Sequence, residues 1–364
     1  MRERLVVIDD QISPALVQEL CGKKIETWRI EDGICVPDRS PIHTRSHGTV
    51  CAALAGEFLP ELELVGISTG GNGGAQVENV CAALEWCLQD GAAVVCMSMG
   101  VTCGLDLARM GTAARALRQA GCWVFCASSN GGKLTFPAAY PWTVGVKFDP
   151  SAREVQQVDP RWGCDVAVGL FQSQVLDKLA EEEPFFHART NSLAVAMAAS
   201  QVLQAGDVDH LPVKSQKLWV PDGNKAFQGW EKPVVRLLHS RGKWEALLEE
   251  FSRQSYWPVL LSDQVETDWS KMAARVRCLE EAAALLSQLA ETAILFLEVP
   301  EGNPTVWDYQ LDLAQMEPRE ACREVLGFFG EEDVRSRQTA IQSANDNEEV
   351  LGNHCEDPVD LVLN

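Results

Sequence analysis

Three short segments carry side chains that together can break an acyl bond: Val7-Ile-Asp9, His47-Gly-Thr49 and Thr190-Asn-Ser192. An Asp closing an apolar strand, a His opening a helix and a Ser opening another supply an orienting carboxylate, a general base and a nucleophile. Ser192 precedes Leu-Ala-Val-Ala-Met-Ala-Ala-Ser, a run of strong helix formers. Its Oγ therefore stands where free amides and the positive end of a helix dipole favour a developing oxyanion. A serine there also suits a plain N-cap, and only the company of His47 and Asp9 lifts it above that. Asn130, between an apolar run and Gly131-Gly132, offers an amide donor on a Gly-rich loop; an oxyanion donor and an ordinary turn both fit that pattern.

Two positions have rivals. His43 lies four residues before His47, but only His47 has the small residue after it that leaves an imidazole accessible at a helix start. Asp10 follows Asp9, and strand geometry turns adjacent side chains to opposite faces, so only one of them can meet His47.

The flanks of these segments resemble the subtilase family. The resemblance runs through Leu5-Val-Val-Ile-Asp9, His47-Gly-Thr-Val-Cys-Ala-Ala53, Ala92-Ala-Val-Val-Cys-Met-Ser-Met-Gly100, Val124-Phe-Cys-Ala-Ser-Ser-Asn130, Phe136-Pro-Ala-Ala-Tyr-Pro141 and Thr190-Asn-Ser-Leu-Ala194. It covers residues 1–205. It implies a Ser192, His47, Asp9 triad with Asn130 in the oxyanion hole, and it selects Asp9 over Asp10, leaving Asp10 to cap the turn. An extended peptide substrate would lie between two main-chain segments, Gly73-Gly74-Ala75 and Ser98-Met99-Gly100. The loop from Gly131 to Phe136 would border the pocket for the side chain before the cleaved bond. The chain departs from the family pattern at Asp10-Gln11, at Thr190-Asn191 where Gly-Thr is usual, and at Ala196-Met197 where Pro-His is usual.

Positioning such groups requires a scaffold. Short apolar strands at Leu5–Ile8, Glu63–Ile67, Ala93–Met97, Trp123–Ala127 and Thr143–Val146 alternate with amphipathic helices at His47–Ala55, Gln76–Asp90, Leu105–Ala120 and Ser192–Gln204. Strands apolar throughout and separated by helices predict an α/β fold, a subtilisin-like parallel sheet with helices on both faces. Catalytic groups then gather beyond the carboxyl ends of the strands. Residues 206–231 read as a linker or excursion, rich in Pro and Gly breakers. Residues 232–330 read as a smaller C-terminal α/β unit: Pro233–His239, Lys243–Arg253, Trp257–Ser262, Val276–Leu289 and Thr292–Glu298 in β-α-β-α-β order. Residues 331–364 hold nine acidic side chains against two basic and are expected to be largely disordered.

The formal charge is −21, of which residues 1–205 carry −7 and the remainder −14. Such a field repels nucleic acid and anionic membrane surfaces, so neither is expected as a partner. No apolar run reaches the length of a membrane span, and because Met-Arg-Glu-Arg leads straight into a core strand, no signal peptide is expected. A phosphate-cradling role for Gly70–Gly74 fails because no Gly-Lys-Ser/Thr follows. No dense Asp/Asn loop offers a calcium site, and the chemistry needs no metal and no cofactor.

The sequence thus reads as a cytoplasmic serine endopeptidase of narrow specificity with a peptide or protein substrate, for example the leader of a ribosomally made, modified peptide. A pseudo-protease that binds extended peptides without cutting them is the alternative. The thirteen cysteines sit in apolar patterns without paired C-x-x-C spacing, the usage of a reducing compartment. Thiol titration of the denatured, unreduced protein is expected to recover nearly all thirteen; a much lower recovery would reverse the assignment.

Overall fold

The computed structural model describes residues 3–39, 45–70, 77–101, 107–182, 190–214, 227, 230, 232–286, 289, 294–300 and 306–330. They form two compact units, one made of the chain up to Gly131 and from Thr135 to Ser215, the other of Gly132–Leu134 and the chain from Gln216.

The first unit is built from β1 (Arg4–Asp9), α1 (Pro14–Cys21), β2 (Ile25–Glu31), β3 (Ile34–Pro37), α2 (His47–Phe58), β4 (Glu63–Ser68), α3 (Val77–Asp90), β5 (Val94–Met97), α4 (Leu107–Gln119), β6 (Trp123–Ala127), β7 (Val144–Phe148), β8 (Gln156–Gln157), β9 (Val166–Val168), α5 (Gln174–Glu182) and α6 (Asn191–Ala205). The nine strands order as β3-β2-β4-β1-β5-β6-β7-β9-β8. All neighbours run parallel except β2 with β3 and β8 with β9. Alternation splits the strand residues between two faces. Leu5, Val7, Val94, Cys96 and Phe125 join the core beneath α2 and α6, whereas α3 and α4 pack together elsewhere on the unit.

All five expected strands and four expected helices form, within one to three residues of their expected ends. The elements that the apolar pattern does not predict are the polar and short ones. The β2–β3 hairpin is only half-buried, and its one local signal is Asp32-Gly33, both at positive φ as a tight hairpin turn requires. Helix α5 is held at its start by Glu57, whose carboxylate accepts from Gln174 N at 2.6 Å and from Ser173 Oγ at 2.5 Å. The beginning of the expected linker belongs to the first unit, because Pro212 O and Lys214 N bond to both sides of Gln157 in β8.

The second unit has β10 (Val234–Leu238), α7 (Trp244–Arg253), β11 (Pro258–Ser262), β12 (Ala273–Arg275), α8 (Leu279–Leu285), β13 (Ile294–Glu298), β14 (Tyr309–Asp312) and α9 (Pro318–Phe329). Its five strands are all parallel, in the order β12-β11-β13-β10-β14, around a core that includes Phe251 and Phe296. The expected helix from Val276 is shorter than its apolar pattern: β12 ends at Arg275 and α8 begins only at Leu279. Glu298 ties three strand ends together, accepting from Ser240 N at 3.0 Å and from Ser262 Oγ at 2.9 Å. The expected tail, 331–364, lies outside the described residues.

Asp165, just before β9, accepts from Gly145 N at 2.7 Å, and burial raises its pKa to about 7. Between the unfolded carboxyl's value near 4 and about 7 the folded state holds the proton that the unfolded state has lost, so stability falls as pH rises, by up to about 1.4 kcal/mol per unit. Asp165→Asn keeps the acceptor and removes the titration. The variant is expected to unfold at higher urea than the parent at about pH 8 and to differ little at about pH 4.

Candidate active site

Asp9 ends β1, an interior strand between β4 and β5, and is 2 % exposed. Its Oδ1 accepts from Asp10 N at 2.7 Å and lies 3.1 Å from His47 Nδ1, while Oδ2 accepts from Ser98 Oγ. Burial alone would raise the pKa of this carboxyl. The positive charge and hydrogen bond of His47, with the Ser98 hydroxyl and the Asp10 amide, outweigh burial and hold Asp9 below its ordinary value. An ionised Asp9 fixes the proton of His47 on Nδ1 and leaves Nε2 to accept one.

The start of α2 explains the His-Gly-Thr triplet. Ser46 caps the helix by accepting from Thr49 N, and Thr49 Oγ1 accepts from Ser13 N at 2.9 Å, which pins α2 to the loop after β1. Gly48 N donates to Asp10 Oδ1 at 2.8 Å. A Cβ on Gly48 would stand 2.7 Å from Asp10 Oδ1 and from Gln11 O, and 2.8 Å from Asp9 Cβ. Only glycine lets the helix come this close to the strand. Asp10 therefore caps α2 as well as its own turn, where it accepts from Gln11 N at 2.5 Å. Strand alternation does not apply to it, because β1 has already ended at Asp9. Both carboxylates converge on α2, one on the ring and one on the backbone.

Cys51 stands one helical turn beyond His47, and its Sγ lies 3.8 Å from Nδ1 and 3.9 Å from Nε2. Sequence reasoning missed this contact, although the i,i+4 spacing on one helix face was a usable signal. A Cys51 thiolate would raise the pKa of His47 most, and the Asp9 carboxylate raises it through its charge and hydrogen bond. Burial raises the Cys51 thiol itself, so near neutral pH it is uncharged and Asp9 supplies the charge. The imidazole is still 44 % exposed, open to a substrate. Asp9, His47 and Cys51 are also the one group among the described residues whose donor atoms lie close enough to hold a metal ion.

Ser192 is the second residue of α6, so its amide has no partner within the helix. It lines a small pocket with Val7, Cys51, Cys96 and Ser98. Ser98 bonds Asp9 and Cys51 touches His47, so the pocket brings Ser192 to the same sheet edge as the other two. No hydrogen bond joins Ser192 to His47, and catalytic contacts of this kind often tighten only with substrate bound.

Asn191 gives the departure from Gly-Thr-Ser a structural role. Its buried amide donates to Ser128 O at 2.9 Å and Ser129 O at 3.0 Å and accepts from Phe148 N at 2.7 Å, lashing α6 to the ends of β6 and β7. Asn130 Oδ1 accepts from Asn191 N at 3.2 Å. That bond fixes which end of the exposed Asn130 amide faces outward, and its Nδ2 donates to no described residue. Ser98, Met99 and Gly100 extend beyond β5, with Met99 Sδ accepting from Thr69 Oγ1 at 3.4 Å. Gly73, Gly74, Ala75 and the rival base His43 lie outside the described residues.

Residues 6–178, most of the first unit, match the model of the subtilase family. Similar solved structures include a lanthipeptide protease, with 16 % identity, 57 % of this chain and 73 % of that chain covered and a TM-score of 0.45. The nisin leader peptidase NisP from Lactococcus lactis is 12 % identical over 57 % of this chain and 78 % of its own, at a TM-score of 0.40. The epidermin leader peptide processing serine protease EpiP from Staphylococcus aureus is 12 % identical over 56 % and 65 %, at a TM-score of 0.40. No curated protein matches the chain.

Helix propensity alone would make Gly48→Ala stabilising by about 0.5–1 kcal/mol. The contacts at Gly48 reverse that sign. We expect the variant to lose about 1–3 kcal/mol in urea unfolding and to separate His47 from Asp9; a stabilised variant would contradict the close approach.

Proposed function

We propose that the first unit is a peptide-bond hydrolase in which Ser192 attacks the carbonyl, His47 Nε2 takes the proton and returns it to the leaving amine, and Asp9 holds the imidazole in the required tautomer. Asn130 Nδ2 and the Ser192 amide would receive the oxyanion of the tetrahedral intermediate. The observation that carries this reading is the buried Asp9 to His47 contact, at the same sheet edge as a serine that opens a helix. Asn130 adds to it, since its acceptor end is engaged and its donor end is left over.

The substrate would lie extended along Ser98, Met99 and Gly100 on one side and Gly73, Gly74 and Ala75 on the other, pairing main chain with main chain. We further propose that the enzyme works among reduced thiols in the cytoplasm, in keeping with cysteines that mostly sit buried in apolar strands and helices. No helix of the described residues is long and apolar enough to cross a membrane. A protease in that compartment must be selective, and the leader of a ribosomally made, modified peptide is the substrate class we would try first.

A fluorophosphonate probe tests the nucleophile directly. Labelling is expected in the parent and absent in Ser192→Ala. Because His47 sits well above the ordinary 6.5, it is protonated and idle as a base at slightly acid pH. The labelling rate should therefore climb with pH through a midpoint above 6.5. A folded parent that binds peptides yet never labels would be a pseudo-protease.

A further inference from the structure

Cys51 takes no part in the chemistry proposed above, yet it is a buried thiol set against the ring on which that chemistry depends. Its Sγ lies 3.8 Å from His47 Nδ1, which in turn lies 3.1 Å from Asp9 Oδ1. Ligand bonds of about 2.0–2.3 Å at tetrahedral angles place neighbouring donors about 3.3–3.6 Å apart, so both separations are close to what one zinc ion requires. No two of the three donor atoms are more than 4.8 Å apart. The imidazole is 44 % exposed and free to make the small adjustment that closes the widest gap. Charge fits as well: a carboxylate and a thiolate carry two negative charges, so a divalent ion leaves the buried group neutral.

We propose that Asp9, His47 and Cys51 form a binding site for a divalent cation of the zinc class, and that an ion held there blocks the hydrolase. The effect on activity rests on the reading above; the binding does not. The ion takes His47 Nδ1 in place of the proton that faces Asp9. Starting from the neutral imidazole, Nδ1 loses its proton, Nε2 gains one and the Cys51 thiol releases its own, so one proton leaves for each ion bound. A protonated Nε2 cannot take the proton of Ser192. Calcium and magnesium, which prefer six or more oxygen ligands, do not suit one oxygen, one nitrogen and one sulfur.

Cobalt(II) is the probe for binding, because a thiolate ligand gives it a sulfur-to-metal absorption band that oxygen and nitrogen ligands do not. The Ser192→Ala protein should develop that band as cobalt is added, and zinc should erase it. Cys51→Ala in the same background should abolish the band, as should Cys51→Val, which fills the space of the buried thiol. Cys96→Ala removes another thiol that lines the pocket beside Ser192 and should keep it. In the parent, zinc should slow fluorophosphonate labelling and a chelator should restore it, while calcium and magnesium leave it unchanged. The zinc concentration that halves labelling should rise at least about tenfold in Cys51→Ala, since even an outer partner of a metal ligand is worth 10–100-fold in affinity. No band in Ser192→Ala, or a band that survives both Cys51 substitutions, overturns the site. A Cys51-dependent band with labelling of the parent unaffected by zinc overturns the block. Absence of labelling in the metal-free parent removes the protease reading, and the cobalt titration still decides whether the site exists.

Discussion

A buried negative charge at the end of a central strand constrains everything around it. Removing a carboxylate from water costs several kcal/mol unless partners replace the lost hydration. Asp9 has three such partners: the His47 ring, the Ser98 hydroxyl and the amide of Asp10. Each comes from a different segment, so the charge can be held only when β1, β5 and α2 are all in place. The same arrangement leaves the His47 imidazole partly exposed. Stability and chemistry here have one origin.

The close approach of α2 to β1 depends on a second detail of the same kind. Asp10 and Gly48 form a contact in which the carboxylate satisfies a free helix amide and the missing Cβ provides the space. Cys51 then packs under the ring from within the helix. Asn191 binds α6 to the ends of β6 and β7 through backbone groups of Ser128, Ser129 and Phe148, which makes the position of Ser192 a property of the sheet. The departures from the usual family pattern at Asp10 and Asn191 thus add hydrogen bonds without altering the order of Asp9, His47 and Ser192.

The second unit follows another logic. Its strands are parallel throughout, and at their carboxyl ends Glu298 gathers Ser240 and Ser262 into one hydrogen-bonded knot. Both serines are fully buried, so the carboxylate serves to satisfy them and to close the sheet edge where connections diverge.

Local sequence was sufficient wherever one residue type in one local context has few uses. Apolar runs such as Val94–Met97 and Trp123–Ala127 had to become buried parallel strands, and the flanks of Asp9 singled it out over Asp10 as the carboxylate that meets the His47 ring. The half-exposed β2–β3 hairpin, the three-residue β9 and the split between β12 and α8 gave no comparable signal, because their pairing partners lie far away in the chain. The same holds at the site. That Ser98 would bond Asp9 and that Asn191 would reach Phe148 depends on which strand ends become neighbours. Sheet order decides that, and sheet order is set by long-range burial that no local pattern encodes.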